Sequence, residues 1–241
     1  INYGKITGLM LDPIEKKPLR RFCPGSRILS VGSFGCNLAC PFCQNYEISM
    51  TGEPEAEYRE ISPEELDGLA REYKKYGNIG LAFTYNEPLV GYEFVRDTAK
   101  LVREHGMKNV LVTNGSAELE ILEELLPYID AMNIDLKGFT EAYYRKLGGD
   151  LETVKRFIRR SAEACHVELT TLILPGENDS EKEMEEEAKW IASIDPDIPL
   201  HVTRFFPRYK MTDRQATEVG KVYRLKECAE KYLKYVYTGN C

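Results

Sequence analysis

The chain has 241 residues, 43% of them hydrophobic and 29% charged, with 32 Lys plus Arg against 39 Asp plus Glu for a formal net charge of −7. That balance excludes long disorder, collagen-like repetition and coiled coil, and the acidic surplus argues against a broad phosphate-binding face, so no nucleic acid partner is expected. No apolar run approaches the roughly 18 residues that span a bilayer and no signal peptide opens the sequence, so no membrane partner is expected either.

In chain order, Lys5 to Leu11 reads as a strand that turns through Asp12, Pro13 and Ile14, a hairpin appendage within residues 1–27. From Ile28 the pattern changes, and short β-branched runs alternate with longer segments of helical period, the signature of βα units around a parallel sheet. Strands are predicted at Ile28–Phe34, Ile79–Tyr85, Asn109–Thr113, Ala131–Leu136, Val167–Leu174 and Leu200–Phe206. Helices are predicted at Pro63–Tyr76, Leu89–His105, Ala117–Leu126, Leu151–Ala164, Ser180–Ile194 and Thr212–Lys234. Ser62, Pro63 and Glu65 form a capping box with proline at the first helical position, and Ser180 with Glu183 repeats the box. Residues 28–241 therefore read as one α/β core domain, a size at which barrels of about 200–250 residues are common single units. The sequence runs from Ile1 to Cys241, which suggests trimming at one or both ends.

Parallel strands are buried on both faces, so polar residues within them need a reason. Period two puts Asn133, Asp135 and Lys137 on one face of their strand and Met132, Ile134 and Leu136 on the other. Glu168 shares a face with Thr170, and His201 with Thr203. Taken singly, each pair fits buried ion pairing or solvation at a strand end. Together, on three strands, they favour a wet, polar-lined cavity inside the sheet.

Of seven cysteines, Cys23, Cys165, Cys228 and Cys241 stand alone, whereas Cys36, Cys40 and Cys43 fall in one eight-residue window after the first core strand. Uneven spacing points to a metal site in a reducing, cytoplasmic setting rather than to a disulfide framework. Three thiolates in a C-x3-C-x2-C loop can each hold one iron of a 4Fe-4S cube and leave the fourth iron open to a substrate or cofactor. The competing reading is a zinc site with a distant fourth ligand such as Cys23 or Cys165.

The C-x3-C-x2-C loop, with Phe42 before its third cysteine, resembles that of radical S-adenosylmethionine (SAM) enzymes. Asn2-Tyr3-Gly4-Lys5, Asp12-Pro13-Ile14-Glu15-Lys16-Lys17-Pro18 and Arg204-Phe205-Phe206-Pro207 are similar to the radical enzymes of the AmmeMemoRadiSam system, a group itself similar to pyruvate formate-lyase activating enzymes. The resemblance implies a partial (βα)6 TIM-like barrel whose open side admits a peptide or protein loop. It implies a 4Fe-4S cluster on Cys36, Cys40 and Cys43, and SAM reductively cleaved there to a 5′-deoxyadenosyl radical that abstracts hydrogen from a substrate.

The same resemblance implies the remaining site residues. Phe42 would lie on the adenine, or serve as a plain packing aromatic. Thr84-Tyr85-Asn86-Glu87-Pro88 occupies the place of the family's G-G-E-P, with Tyr85, Asn86 and Glu87 toward the SAM ammonium; Glu87 and Pro88 also fit an ordinary helix start. Thr113 and Asn114 lie in Val112-Thr113-Asn114-Gly115, similar to D-T-N-G although also a common turn, and Asp135-Leu136-Lys137 matches D-L-K. Val112 stands where relatives carry a cation-binding aspartate. Leu174 would pack near the adenine, and Lys137, His201, Arg204 and Tyr209 are the catalytic candidates on the substrate side. The implied partners are a protein or peptide substrate, an electron donor such as flavodoxin or ferredoxin, and Memo-like and AMMECR1-like associates. The alternatives are the same radical chemistry on a small metabolite, or a non-catalytic iron–sulfur or zinc protein.

Overall fold

The computed structural model describes residues 2–241. Its strands are β1 (Lys5–Ile6), β2 (Gly8–Pro13), β3 (Arg27–Gly32), β4 (Arg59–Glu60), β5 (Asn78–Phe83), β6 (Lys108–Thr113), β7 (Ala131–Asp135), β8 (His166–Ile173), β9 (Leu200–Arg204) and β10 (Val236–Gly239). The helices are α1 (Tyr46–Ser49), α2 (Pro63–Glu72), α3 (Tyr92–Glu104), α4 (Leu119–Leu125), α5 (Glu141–Leu147), α6 (Leu151–Ala162), α7 (Glu181–Ile194) and α8 (Val219–Ala229). The main sheet has eight strands in the order β10-β9-β8-β7-β6-β5-β3-β2, while β1 and β4 form a separate antiparallel pair. From β3 to β10 every pairing is parallel, and β2 alone runs antiparallel, along β3. Among the described residues no helix is long and apolar enough to cross a membrane.

The helices form where one stripe of each can be buried. In α3, Phe94, Val95, Thr98, Ala99 and Val102 lie on the covered face, a spacing of three and four residues that fits the helical period. The capping box at the start of α2 is complete: Ser62 accepts from the Glu65 amide and Glu65 accepts from the Ser62 amide. The second box is only half formed. Ser180 caps α7, but the Glu183 carboxylate instead accepts the Phe139 amide at 2.7 Å.

All six predicted core strands are present, with ends shifted by one or a few residues. Four segments differ. Predicted from Thr212, the last helix begins at Val219 instead, because the Thr217 hydroxyl donates to the Ile173 carbonyl and accepts the Phe205 amide, pinning residues 212–218 as a loop across the strand ends. Strand β10 and helix α5 were not anticipated. The predicted N-terminal turn at Asp12 to Ile14 comes later: β2 runs on to pair Pro13 with Arg27, a 3-10 turn follows at Ile14–Lys16, and the returning arm of the hairpin is β3 itself. Pro13 is tolerated because β2 is an edge strand, where a missing amide donor is harmless.

Residues 14–26, which join β2 to β3, fold back into the lower half of the barrel as a plug. Ile14 and Leu19 are fully buried there against Ile28, Ala82, Val110 and Ala131. Asn133 Nδ2 donates to the Pro18 carbonyl at 3.0 Å, and the Arg20 and Arg21 amides donate to the two Glu168 oxygens at 3.0 and 2.7 Å. The polar face read from strand parity is thus satisfied in two ways. Its lower residues, Asn133 and Glu168, bond to the plug, whereas Asp135, Thr170 and Thr203 border a cavity above it.

Two outcomes are expected of the fold. Leu19→Ala empties part of the plug core and is expected to cost about 2–5 kcal/mol in urea unfolding; a loss below about 1 kcal/mol would show that the plug is not packed. Buried Glu187, with only the Thr171 hydroxyl on its carboxyl at 2.5 Å, has its pKa pushed by burial from 4.5 up to about 8. Folded Glu187 keeps a proton that the unfolded chain loses, so its contribution declines as pH rises from 4.5 to about 8 and is flat above. That slope reaches about 1.4 kcal/mol per pH unit, and Glu187→Gln is expected to remove it from stability measured against pH.

Candidate functional site

A cavity of about 580 Å³ opens at the carboxyl ends of the parallel strands, where βα loops converge in such sheets. Cys36, Cys40 and Cys43 border it, all three as free thiols, with Cys40 buried and the other two half-buried. Their loop is held from several sides. Gly35 N donates to Ile48 O at 2.9 Å, Ala39 N to Leu147 O at 2.8 Å, and Lys210 N to Pro41 O at 2.9 Å. Leu38, Cys40 and Phe42 sink into a second apolar cluster with Tyr143, Leu147, Leu174, Phe205 and Met211.

Burial pushes the Cys40 thiol up to about 11 and raises Cys36 as well, so a bound cation would be needed to draw out their thiolates. The Leu38 amide lies 3.4 Å and Asn114 Nδ2 3.7 Å from Cys36 Sγ, two donors aimed at sulfur. No three His, Cys, Asp or Glu side chains among the described residues are gathered on a single ion. Three free thiols on one loop are the soft donor type that an iron–sulfur cluster takes, one per iron.

Glu87 is the second element. It is buried, with Oε1 accepting from the Thr113 hydroxyl at 2.7 Å and the Leu89 amide at 3.0 Å, and Oε2 accepting the Asn114 amide at 2.7 Å. Burial outweighs those donors and pushes its carboxyl up to about 7. Asn114 continues the chain of contacts, its Nδ2 donating to Asn37 Oδ1 at 2.8 Å within the cysteine loop. Asn86, expected at the cofactor, spends its side chain on the backbone: Oδ1 accepts the Ser33 amide and Nδ2 donates to the carbonyls of Phe34, Gly35 and Glu87. It clamps the start of the cysteine loop.

Tyr85 sits between these loops with φ at +76°, a left-handed conformation unusual for a bulky residue. Its hydroxyl donates to Asp12 Oδ2 at 2.8 Å, its carbonyl accepts Asn45 Nδ2 at 2.7 Å, and the buried Lys17 ammonium lies 4.6 Å from the ring centre. Its ring packs directly on Gly32, where a Cβ would come within 2.8 Å of Tyr85 Cδ2.

On β7, Lys137 Nζ bonds Asp135 Oδ2 at 3.0 Å. Burial alone would lower the Lys137 ammonium, but Asp135 and the nearby Cys40 hold it well above its usual value. Deeper in the barrel, Glu168 receives His201 Nε2 at 2.6 Å and His166 Nε2 at 3.0 Å as well as the two plug amides. Burial would raise this carboxyl, yet those four donors hold it at about 2.

Cavity residues among the candidates are therefore the three cysteines, Phe42, Tyr85, Asn86, Glu87, Thr113, Asn114, Asp135, Lys137 and His201. Three candidates stand apart from it. Leu174 borders a smaller cavity of about 250 Å³ beyond Phe42, which is the wall shared by the two. Arg204 is turned away, its Nε donating to the Thr217 carbonyl at 2.6 Å and its guanidinium 4.6 Å from the Phe206 ring centre. Tyr209 stacks on Tyr46 with ring centres 4.6 Å apart. Sequence reasoning missed the plug residues Glu15, Lys16 and Arg20 and the β10 end, Thr238 to Asn240, all of which border the cavity. The alternation in Tyr235-Val236-Tyr237-Thr238 was the signal available for β10, and for the plug it was the Asp12 to Pro18 stretch, read for its resemblance and not for its place beside the cavity.

Comparison with known proteins places these features. Residues 30–188 match the family model of the radical SAM superfamily. The whole chain is 40% identical to an uncharacterised protein of Methanocaldococcus jannaschii, covering 72% of it. A putative glycyl-radical enzyme activating enzyme of the same organism is 27% identical over 84% of this chain and 85% of its own. Among solved structures, Streptococcus suis SuiB bound to S-adenosylmethionine has a TM-score of 0.69 at 15% identity, over 89% of this chain and 52% of that one. It shows a shared fold.

Gly32→Ala, which forces a methyl against the Tyr85 ring, is expected to cost about 1–3 kcal/mol in urea unfolding. The penalty should shrink in a Tyr85→Gly background, where the ring is gone. Equal penalties in both backgrounds would show that the ring does not need this glycine.

Proposed function

The chain belongs to the radical SAM superfamily, and from that premise we propose that it cleaves SAM reductively and abstracts hydrogen from a protein or peptide. The cofactors of the family are a 4Fe-4S cluster and SAM, and the relatives named as activating enzymes support an activating-enzyme-like reading. One observation carries the proposal: the three free thiols and the Glu87 network border the same cavity, tied together through Asn114 and Asn37.

When bound, the cluster and SAM supply the electron and the 5′-deoxyadenosyl radical. The protein's part is to hold, orient and shield them. Cys36, Cys40 and Cys43 are the cluster ligands. Glu87, fixed by three donors, accepts the SAM ammonium, and its proton affinity near neutral pH falls once that cation sits beside it. Lys137 offers a charge to the SAM carboxylate, with Asp135 holding its side chain in place. Phe42 supplies apolar surface for the adenine, and Leu174 packs behind it in the smaller cavity. Arg204 and Tyr209 act on the substrate only if the loop after β9 moves, since neither borders the cavity. The electron comes from a flavodoxin or ferredoxin, and Memo-like and AMMECR1-like proteins are the first associates to test. Activating-enzyme relatives favour a protein or peptide as hydrogen donor.

Anaerobic reconstitution with iron and sulfide, followed by SAM and dithionite, is expected to yield 5′-deoxyadenosine. Cys36→Ala should abolish it, and Glu87→Ala should raise the SAM dissociation constant about tenfold, a loss of about 1.4 kcal/mol. A protein purified anaerobically with one zinc ion and no sulfide would overturn the proposal.

A further inference from the structure

The cavity has a second end, formed by the plug and lying away from the cysteines and Glu87. Its floor is the plug, from which Glu15, Lys16, Pro18 and Arg20 border the same space as the cysteines. Arg20 is fixed in place by its backbone, whose amide donates to Glu168 Oε2 at 3.0 Å, while its exposed side chain makes no hydrogen bond or ion pair among the described residues. Lys16 reaches Asp12 Oδ1 at 3.2 Å, but that carboxylate already serves the buried Lys17 at 2.9 Å and the Tyr85 hydroxyl at 2.8 Å, and the Lys16 side chain stays 67% exposed.

The acids along the cavity are in the opposite condition. Glu15 Oε1 accepts the Gly25 amide, Glu87 has three donors, and Asp135 holds Lys137. What the floor offers to a ligand is therefore an unpartnered guanidinium, with Lys16 bordering the same cavity. A guanidinium presents a planar fork of donors that matches a carboxylate two-by-two.

The depth of this end is set by strand register. Asp135 pairs with Thr170, and Glu168, which holds the Arg20 amide, lies two residues earlier on the same strand. At about 3.3 Å per residue the floor lies roughly 7 Å below the Asp135 level. Thr170, Thr203 and Thr238 border the space between, neutral groups that leave room for a chain segment.

We propose that the substrate carries a carboxylate that Arg20 and Lys16 bind at the plug end of the cavity, so that an acidic peptide or a small carboxylic acid is held with its reacting carbon toward the cysteine end. The assignment rests on the radical SAM function proposed above and names the substrate class of that site.

The probe is glutarate, with neutral glutaramide as control, titrated calorimetrically into the anaerobic, reconstituted holoenzyme with SAM present. Glutarate is expected to bind at least tenfold more tightly than glutaramide. Arg20→Gln should remove that preference, Arg20→Lys should keep part of it, and Lys16→Gln should weaken it several-fold. Each substitution preserves the backbone contact to Glu168. An acetylated and amidated peptide containing one glutamate then identifies the source: displacement of glutarate by it points to a peptide side chain, and failure to displace points to a free acid, with the carboxylate site standing in both cases. Equal binding of glutarate and glutaramide, or an unchanged preference in Arg20→Gln, overturns the inference. The same preparation is assayed for 5′-deoxyadenosine on reduction. Its absence would fail the radical function, whereas its presence without a glutarate preference fails only the carboxylate site.

Discussion

A carboxylate buried at the centre of an open barrel is costly unless it is fully paired, and Glu168 is the group on which the interior is organised. Its two oxygens take four donors, two imidazole nitrogens from β8 and β9 and two amides from the plug. Stripping such a carboxylate of its partners would cost several kcal/mol, because a buried charge without donors has no other compensation. The two amide contacts, with the Asn133 bond to the Pro18 carbonyl, determine how far residues 14–26 enter the barrel. They therefore set where the cavity floor lies and which plug side chains face it.

Above that floor, the strand-end loops are tied to one another rather than each to its own strand. Asn37 and Asn114 join the cysteine loop to the loop after β6, Glu87 joins that loop to the one after β5, and Asn86 returns from β5 to Gly35. A displacement of one loop is felt by the rest. That is the property needed where cluster ligands and cofactor contacts come from different strands, since small errors of placement cost much of the rate.

The sequence made the cysteine loop legible through its spacing and the polar strand face through its parity, both being local periodicities. The plug was not legible, because Ile14 and Leu19 look like ordinary turn-flanking residues until the barrel exists to receive them. Strand β10 was hidden behind a helix extended too far, and the start of α8 depends on Thr217 bonding to Ile173, 44 residues away. Tertiary contacts of that range leave no mark in a window of ten residues. Arg204 and Tyr209 lie off the cavity for different reasons: Arg204 is still paired within β9, where period two turns it to the face opposite His201 and Thr203, whereas Tyr209 follows the strand, where parity no longer sets side-chain direction.

The departure from G-G-E-P has a physical resolution in the same terms. Glycine at such a place supplies a positive φ at no steric cost. Here Tyr85 adopts φ +76° instead, and the cost of that conformation, of order 1–3 kcal/mol for a non-glycine residue, is offset by contacts that glycine could not make: a phenol on Asp12, a ring under Lys17, and a flat surface against Gly32. Because Asp12 also holds Lys16 and Lys17 at the base of the plug, the ring that replaces glycine links the loop bearing Glu87 to the floor of the cavity. One side chain that the family pattern does not contain thus ties the loop bearing Glu87 to the plug.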